Sequence, residues 1–205
     1  MASDLASTVA PLRVLLVCTG NVCRSPLAEQ LMRSEATRLG LSEAFVFESA
    51  GVAAEVGRDV HSQTQASMAR FGHFAQPHQA RQLTKDMLAH ADLVLTATAE
   101  HRAFVAHQNV KANRYTFTCK EFLRVANFIK SDHSNLSESD QLALSALGSA
   151  SDFVSVAAKF RGYAPRPESN EDIVDPWGLS DATFDAVTQE IDLIAKETIA
   201  LLGAK

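Results

Sequence analysis

The part of the chain with the most recognisable chemistry is a cysteine followed, after five residues, by an arginine. Cys18 ends an aliphatic run, and Arg24 comes just before Ser25-Pro26, where a helix is predicted to begin. The residues between the two are Thr19, Gly20, Asn21, Val22 and Cys23. A loop of this kind points successive backbone N–H groups inward and, with the positive end of the helix, can enclose an oxyanion. We call residues 18–25 the oxyanion loop.

The side chains of the oxyanion loop suit the binding and attack of a phosphate. Arg24 can hold two oxygens of the anion at once through its planar guanidinium. The same positive field favours the thiolate form of a cysteine, so Cys18 is predicted to be a nucleophile. Ser25 can donate its hydroxyl to that thiolate, and Asn21 tolerates a left-handed conformation and can brace the loop with its amide.

The oxygen displaced from phosphorus needs a proton, and its donor must lie on a separate segment. We expect this donor to be Asp175, because Pro176 stiffens the chain there and biases the preceding residue away from helix. Trp177 is predicted to form an aromatic wall beside the anion. No metal or cofactor is expected, because Arg24 and the loop amides carry the charge stabilisation. We call residues 173–178 the acid loop.

The other two cysteines carry weaker signals. Cys23 is either a plain loop residue or the partner of Cys18 in a reversible disulfide that protects the thiolate from over-oxidation. Both interpretations stay open. Cys119 lies at the end of a predicted strand and is expected to fill space in the core or at the surface.

Composition and charge exclude several classes of protein. The chain has 205 residues, of which 46% are hydrophobic and 21% charged, as in an ordinary soluble domain. A net charge of −5 argues against generic nucleic-acid binding, which needs a basic surface. Two histidine pairs, His73/His78 and His101/His107, lack the third ligand or matching carboxylate of a metal site.

Cysteine usage and the chain start bear on the compartment. Three cysteines are too few for a disulfide framework, so a reducing, cytoplasmic location is expected. Residues 1–11 lack the basic region and apolar stretch of a secretory signal, and we expect a flexible tail before a single domain at 12–205. No apolar run approaches the roughly 20 residues that cross a bilayer, so membrane insertion is not expected.

Short aliphatic runs alternate with amphipathic stretches along the chain, which indicates an α/β fold with a parallel sheet. Strands are predicted at 13–18, 45–49, 92–96 and 114–118. Helices are predicted from Ser25, taken as N-cap, and at 62–71, 84–89, 100–107, from 120 onward and at 181–202. Residues about 129–171 do not fit this alternation and are predicted to be a helical insertion that ends in a turn-rich loop.

With these features the chain resembles the low-molecular-weight protein tyrosine phosphatases. The segments that carry the resemblance are 17–26, 49–51, 78–82, 92–96 and 175–176. It implies a phosphatase-I-like three-layer sandwich with a four-stranded parallel sheet flanked by helices. It also implies hydrolysis of phosphotyrosine in two steps, with Cys18 as nucleophile, Arg24 as phosphate clamp and Asp175 as general acid and base. The substrate-binding residues it implies are Thr19, Gly20, Asn21, Val22, Cys23, Ser25 and Trp177.

The resemblance is greatest to bacterial enzymes that act on tyrosine kinases of polysaccharide export. It therefore implies a phosphotyrosine protein as partner, with a bacterial tyrosine kinase as one candidate. Eukaryotic members often place an aromatic side chain beside the cleft, in a segment where this chain offers Val52, Glu55 and Val56. The family commonly has tyrosine after Asp-Pro, where this chain has Trp177. His78 and Arg81 fall in a family-like segment and are expected to be structural.

Two other functions fit parts of this pattern. A thiol-coupled arsenate reductase shares the fold and the loop, but the related reductases need a downstream pair of resolving cysteines, and only Cys119 follows the loop here. A non-catalytic phosphotyrosine-binding relative should have lost the nucleophile or the acid, and this chain has both. The oligomeric state and the role of the 129–171 insertion stay open.

Overall fold

The sheet of the computed structural model has four parallel strands, as predicted. The structure describes residues 10–131, 137–145 and 147–203. The strands are β1 (Leu12–Cys18), β2 (Phe45–Gly51), β3 (Leu93–Thr96) and β4 (Thr116–Thr118). Their order in the sheet is β2-β1-β3-β4, and every pairing is parallel. The carboxyl ends of all four strands therefore lie along one edge of the sheet.

Helices cover both faces of the sheet, which confirms the predicted three-layer α/β sandwich. They are α1 (Arg24–Arg38), α2 (Ser62–Arg70), α3 (Lys85–His90), α4 (Ala99–Gln108), α5 (Cys119–Lys130), α6 (Glu138–Ser145), α7 (Ala150–Phe160) and α8 (Asp181–Leu202). Side chains of β1 alternate between the two faces, as the pleat requires. Val14 and Leu16 join the core cluster with α1, α5 and α8, whereas Leu15 and Val17 join the cluster with α3 and α4.

Most predicted elements are confirmed, but two differ from expectation. The last helix has the predicted bounds, and Thr84 caps α3 as expected. β4 is shorter than predicted, because residues 110–114 form a 3-10 helix instead. Ser25 is not the N-cap of α1: the helix begins at Arg24, and the Ser25 hydroxyl is engaged inside the oxyanion loop.

The segment at 129–171 holds the end of α5 and the two helices α6 and α7, with residues 132–136 and 146 outside the described part of the chain. The apolar face of α7 packs on α5, where the rings of Phe153 and Phe122 lie 6.2 Å apart. The tail predicted for residues 1–11 lies outside the described residues as far as residue 9. Among the described residues, no helix is long and apolar enough to cross a membrane.

Candidate active site

A pocket of about 380 Å³ opens at the carboxyl end of β1. The oxyanion loop forms its floor, because β1 ends at Cys18 and α1 begins at Arg24. The residues that line it are Cys18, Thr19, Gly20, Val22, Cys23, Arg24, Ala53, Glu55, Asp175 and Trp177. The topology thus brings together predicted site residues that are more than 150 positions apart in the chain.

Cys18 lies buried at the base of this pocket, with its sulfur 3.0 Å from the hydroxyl oxygen of Ser25. Asn21 donates its amide N–H to that same oxygen at 2.9 Å. The Ser25 oxygen accepts from Asn21, and its own hydrogen can be donated to the sulfur of Cys18 at 3.0 Å or to the more distant Ala50 carbonyl at 3.4 Å. A hydroxyl donor stabilises a thiolate, and the start of α1 adds positive potential beside it. The N-cap Cys23 makes no side-chain capping bond, so its side chain does not occupy the first N–H groups of α1.

Asn21 fixes the shape of the oxyanion loop. It is fully buried and has a φ of 57°, the left-handed region that few residues other than glycine adopt. Its amide nitrogen also donates to the hydroxyl of Ser49, and its amide oxygen accepts from the backbone N–H of Arg81 at 2.9 Å. The ring of His78 is hydrogen-bonded to the Asn21 carbonyl at 2.8 Å. His78 and Arg81 therefore hold the loop from outside, which fits the structural role expected for them.

Arg24 connects the two loops. Its guanidinium is almost fully buried, and Nη1 donates to the carbonyl of Ile173 at 3.1 Å. Nη2 donates to Asp175 Oδ2 at 2.6 Å and to Thr19 Oγ1 at 3.3 Å. Nε is buried and makes no hydrogen bond among the described residues. Since Nε and Nη2 form one edge of the guanidinium, this edge is able to hold two oxygens of an anion.

The acid loop is anchored at its start and exposed at its tip. The Ile173 N–H donates to the Ala97 carbonyl at 2.8 Å, at the end of β3. Trp177 is 45% exposed and lines the pocket, with its ring centroid 5.0 Å from that of His61 and 6.0 Å from the guanidinium of Arg58. The indole thus contacts His61 and Arg58 and also lines the pocket, and its role as an aromatic wall stays a prediction.

Burial governs the chemistry of Cys23 and Cys119. Both are buried free thiols. Burial raises the pKa of Cys23 to about 11, and it raises the pKa of Cys119 to about 12. Both are therefore protonated thiols at neutral pH and poor nucleophiles. Cys18 is also a free thiol here, and both interpretations of Cys23, a plain loop residue or the partner of Cys18 in a reversible disulfide, stay open.

Several residues of the site were not found from the sequence. Of the three wall candidates, Glu55 lines the pocket together with Ala53, whereas Val52 packs against the sheet and Val56 is exposed outside the lining. His101 lies beneath the loop, with Nε2 at 2.9 Å from the Thr19 hydroxyl. No sequence motif links His101 with Thr19, because the two residues are 82 positions apart in the chain.

Comparisons with known proteins identify one family that the chain resembles in sequence. The family model described as low molecular weight phosphotyrosine protein phosphatase matches residues 13–138. A protein-arginine-phosphatase of Bacillus subtilis is 38% identical over 111 residues, which are 54% of this chain and 71% of that protein. The human low molecular weight phosphotyrosine protein phosphatase is 36% identical over 108 residues, or 52% of this chain and 65% of that protein.

One solved structure illustrates the likeness of the fold. The solution structure of a low molecular weight protein tyrosine phosphatase from Bacillus subtilis superimposes with a TM-score of 0.66 at 25% identity. The match covers 94% of this chain and 97% of that one. The similarity therefore extends well past residue 138, where the match to the family model ends.

Proposed function

Because this chain belongs to the low molecular weight phosphotyrosine protein phosphatase family, we propose that it hydrolyses phosphotyrosine in proteins through a phosphocysteine intermediate. The observation that carries the proposal is the convergence of Cys18, Arg24 and Asp175 on one pocket. A nucleophile, a cationic clamp and a carboxyl group are the three parts that phosphate-ester hydrolysis needs without a metal.

Binding of the phosphate rearranges the contacts of Arg24. The anion takes the Nε–Nη2 edge of the guanidinium and the N–H groups of the oxyanion loop, with contributions from Thr19, Gly20, Val22 and Cys23. Nη2 now holds Asp175 at 2.6 Å, so an incoming phosphate competes with that carboxyl for the same donor. Released from Arg24, Asp175 is free to turn toward the leaving oxygen.

The reaction has two chemical steps, and Asp175 acts as an acid in the first and as a base in the second. The Cys18 thiolate attacks phosphorus, the bond from phosphorus to the tyrosyl oxygen breaks, and the Asp175 carboxyl gives its proton to that oxygen. Ser25 supports the thiolate before attack and after its release. In the second step the Asp175 carboxylate takes a proton from water, whose oxygen attacks phosphorus and frees Cys18. Arg24 and the loop amides hold the charge of the phosphoryl oxygens throughout.

The pocket walls favour an aromatic leaving group. Trp177 offers an indole face beside the oxyanion loop, and a phenyl ring that packs there places its phosphate above Cys18. We infer a phosphotyrosine protein as substrate, with a bacterial tyrosine kinase as one candidate. A second candidate is a protein phosphorylated on arginine, because the Bacillus subtilis relative bears that name. The Glu55 carboxylate in the wall now pairs with the guanidinium of Arg58 and would exchange it for that of the substrate.

Arsenate reduction has less support from the site. A resolving cysteine must reach Cys18 and act as a thiolate. Cys119 is the one cysteine downstream of the loop, and burial raises its pKa to about 12.

A thiolate nucleophile also works only where thiols stay reduced, so we place this enzyme in the cytoplasm.

Parallel assays distinguish these functions. We expect hydrolysis of p-nitrophenyl phosphate and of a phosphotyrosine peptide, with slower release of phosphate from the matched phosphoarginine peptide. Cys18→Ser should abolish both activities and retain bound phosphotyrosine protein in a trapping experiment on a cell extract. Thiol-dependent arsenate reduction without phosphatase activity would refute the proposal, and preference for the phosphoarginine peptide would replace the substrate.

The role of Asp175 has its own test. Asp175→Asn should lower kcat/KM about 100-fold for phenyl phosphate, whose leaving group needs a proton, and much less for p-nitrophenyl phosphate. Asp86→Asn, which changes an exposed carboxyl on α3 outside the pocket lining, serves as the matched control. Equal losses on both esters would show that Asp175 is not the acid.

A further inference from the structure

His101 is buried between two threonine hydroxyls beneath the oxyanion loop. It is only 5% exposed, although it belongs to the first turn of α4. Its Nδ1 lies 2.8 Å from Thr98 Oγ1, and its Nε2 lies 2.9 Å from Thr19 Oγ1. The backbone N–H of His101 also donates to Thr98 Oγ1, which caps the helix. Both ring nitrogens are therefore engaged, and one of them reaches a residue that lines the pocket.

The Thr19 hydroxyl joins this histidine to Arg24. Arg24 Nη2 can only donate, so Thr19 Oγ1 accepts from it at 3.3 Å. The remaining contact of Thr19 Oγ1 is with His101 Nε2, whichever of the two atoms carries the hydrogen. The imidazole of His101 thus fixes the orientation of the Thr19 hydroxyl that accepts from Arg24.

We propose that His101 is a positioning residue, which holds Thr19 against Arg24 so that the Nε–Nη2 edge of the guanidinium stays turned toward the bound phosphate. The proposal rests on the function proposed above. During turnover Asp175 must leave Nη2 to serve the leaving oxygen, and Thr19 then remains as the partner of Nη2 among the side chains that now contact it. Without His101, Thr19 is free to rotate and Arg24 loses this restraint at the moment it binds phosphate.

The surroundings of His101 explain how it supports Arg24 without competing with it. Burial and the nearby Arg24 lower the pKa of His101 to about 4, against smaller opposing effects of Asp175 and Asp172. The imidazole is therefore neutral at physiological pH and adds no positive charge that would repel the clamp. A second link strengthens the same region, because the Asp172 carboxylate accepts from the Ala99 N–H at 2.7 Å. The start of α4 thus contacts the oxyanion loop and the residue just before the acid loop.

Two amide substitutions separate a positioning role from a merely structural one. In His101→Gln the amide can reach the place of Nε2 and keep the bond to Thr19, whereas in His101→Asn it reaches only the place of Nδ1 and Thr98. The probe is inorganic phosphate, whose binding is measured by calorimetry and as inhibition of p-nitrophenyl phosphate hydrolysis. We expect His101→Asn to weaken phosphate binding and lower kcat/KM roughly tenfold, the loss of about one hydrogen bond to a charged group. His101→Gln should retain most of both.

Leaving-group dependence separates His101 from the acid. Because Asp175 is untouched, His101→Asn should lower kcat/KM to the same extent for phenyl phosphate and for p-nitrophenyl phosphate. If the two amide variants bound phosphate equally, or if the loss grew with the basicity of the leaving group, the proposal would be overturned.

A double-mutant cycle tests the route through Thr19. Thr19 is exposed, so Thr19→Val removes the hydroxyl with little risk to folding even if a His101 variant does not fold. We expect Thr19→Val alone to weaken phosphate binding, Thr19→Ser to restore it, and His101→Asn to add less than twofold in the Thr19→Val background. Full additivity would refute the coupling. Phosphate binding is measurable in an enzyme without activity on phosphotyrosine, so failure of the proposed function would be distinguishable from failure of this inference.

Discussion

At the scale of single residues, the oxyanion loop depends on side chains that hold its backbone as much as on those that face the anion. Asn21 is fully buried, has a left-handed backbone conformation and donates its amide N–H groups to Ser25 and Ser49. Its backbone carbonyl and amide oxygen are in turn bound by His78 and by the Arg81 N–H. The position of the Cys18 thiolate donor, Ser25, is therefore set from outside the loop.

Two substitutions separate the conformation of Asn21 from its hydrogen bonds. Asn21→Gly loses the bonds but accepts the positive φ, whereas Asn21→Ala loses the bonds and adds backbone strain. We expect the alanine variant to be less stable than the glycine variant by about 1 kcal/mol in urea unfolding. Both should have lower kcat/KM than the wild type, because Ser25 loses its orienting donor. A glycine variant no more stable than the alanine variant would show that φ at this position carries no strain.

His101 predicts a specific dependence of stability on pH. Its pKa is lowered to about 4 in the folded protein, mainly by burial, from an ordinary value of 6.5. Between these two values the unfolded chain binds a proton that the folded chain does not, so the free energy of unfolding falls as pH falls. The slope approaches about 1.4 kcal/mol per pH unit between the two pKa values, falls to about half of that near pH 6.5 and vanishes about one pH unit higher. Urea unfolding at pH 7, 6 and 5 should show a shallower fall for His101→Gln than for the wild type. Equal slopes would contradict a buried neutral imidazole.

Residue type and spacing were enough to predict Cys18, Arg24 and Asp175 as neighbours in one pocket, because their chemistry is local or carried by a short motif. His101 and Ala53 were not predictable in this way. Ala53 has no functional group, and the contact of His101 with Thr19 depends on how the start of α4 packs under the loop. A side chain that acts through packing leaves no periodic or spacing signal in its own segment.

At the scale of elements, the end of β2 supports the oxyanion loop through close backbone contact. A Cβ atom on Gly51 would lie 2.4 Å from the Thr19 carbonyl oxygen and 3.0 Å from the Asn21 nitrogen. The backbone of the following segment also donates to the loop, from Val52 to the Cys18 carbonyl and from Ala53 to the Thr19 carbonyl. Glycine at this position lets the two segments approach.

We therefore expect Gly51→Ala to displace the oxyanion loop. Kcat/KM for p-nitrophenyl phosphate should fall at least tenfold, with a loss of stability of about 1–3 kcal/mol, the usual cost of overpacking. Gly162→Ala is the matched control, because a Cβ there has no neighbour within 4 Å and the backbone has an ordinary φ. Unchanged activity in Gly51→Ala would mean that the loop adjusts freely to the added methyl group.

Helix starts show where sequence patterns succeed and where function overrides them. Thr118 caps α5 in a full capping box with Glu121, which local chemistry alone explains. Ser25-Pro26 carries an equally good start signal, yet α1 begins at Arg24 and Ser25 turns its hydroxyl to Cys18. A side-chain cap there would occupy N–H groups that we propose to bind the anion. The helix start was thus predicted to within one or two residues, but its cap was not.

At the scale of the whole molecule, the segment with α7 closes one side of the sheet. β4 is an edge strand, since β3 pairs with it on one side. Arg161, directly after α7, donates to the outward carbonyl of Thr116 and stacks 4.0 Å from the ring centroid of Phe117. Edge strands with free backbone groups are sites of unwanted pairing, so this cover protects the strand. Binary patterning predicted helices in this segment but not their docking place, which depends on packing between distant residues.

The packing of α7 leads to a prediction about cooperativity. Phe160 is fully buried and shares one continuous core with β1, α5 and α8, and its ring lies 6.4 Å from that of Phe128 on α5. Phe160→Ala should therefore lower the free energy of unfolding by about 3–5 kcal/mol. Leu142→Ala on α6 is the matched control, because Leu142 is 69% exposed and its loss should cost less than about 0.5 kcal/mol.

The form of the unfolding transition carries more information than its midpoint. If α7 belongs to the same core as the sheet, Phe160→Ala should shift a single transition, and circular dichroism and Trp177 fluorescence should report the same midpoint. A separate early transition seen by circular dichroism alone would show that α7 unfolds independently of the catalytic domain. Kcat/KM of the folded variant should stay within about twofold of the wild type, because Phe160 contributes nothing to the pocket lining. A loss of stability with unchanged activity would show that packing at the edge of the sheet does not affect the pocket at the end of β1.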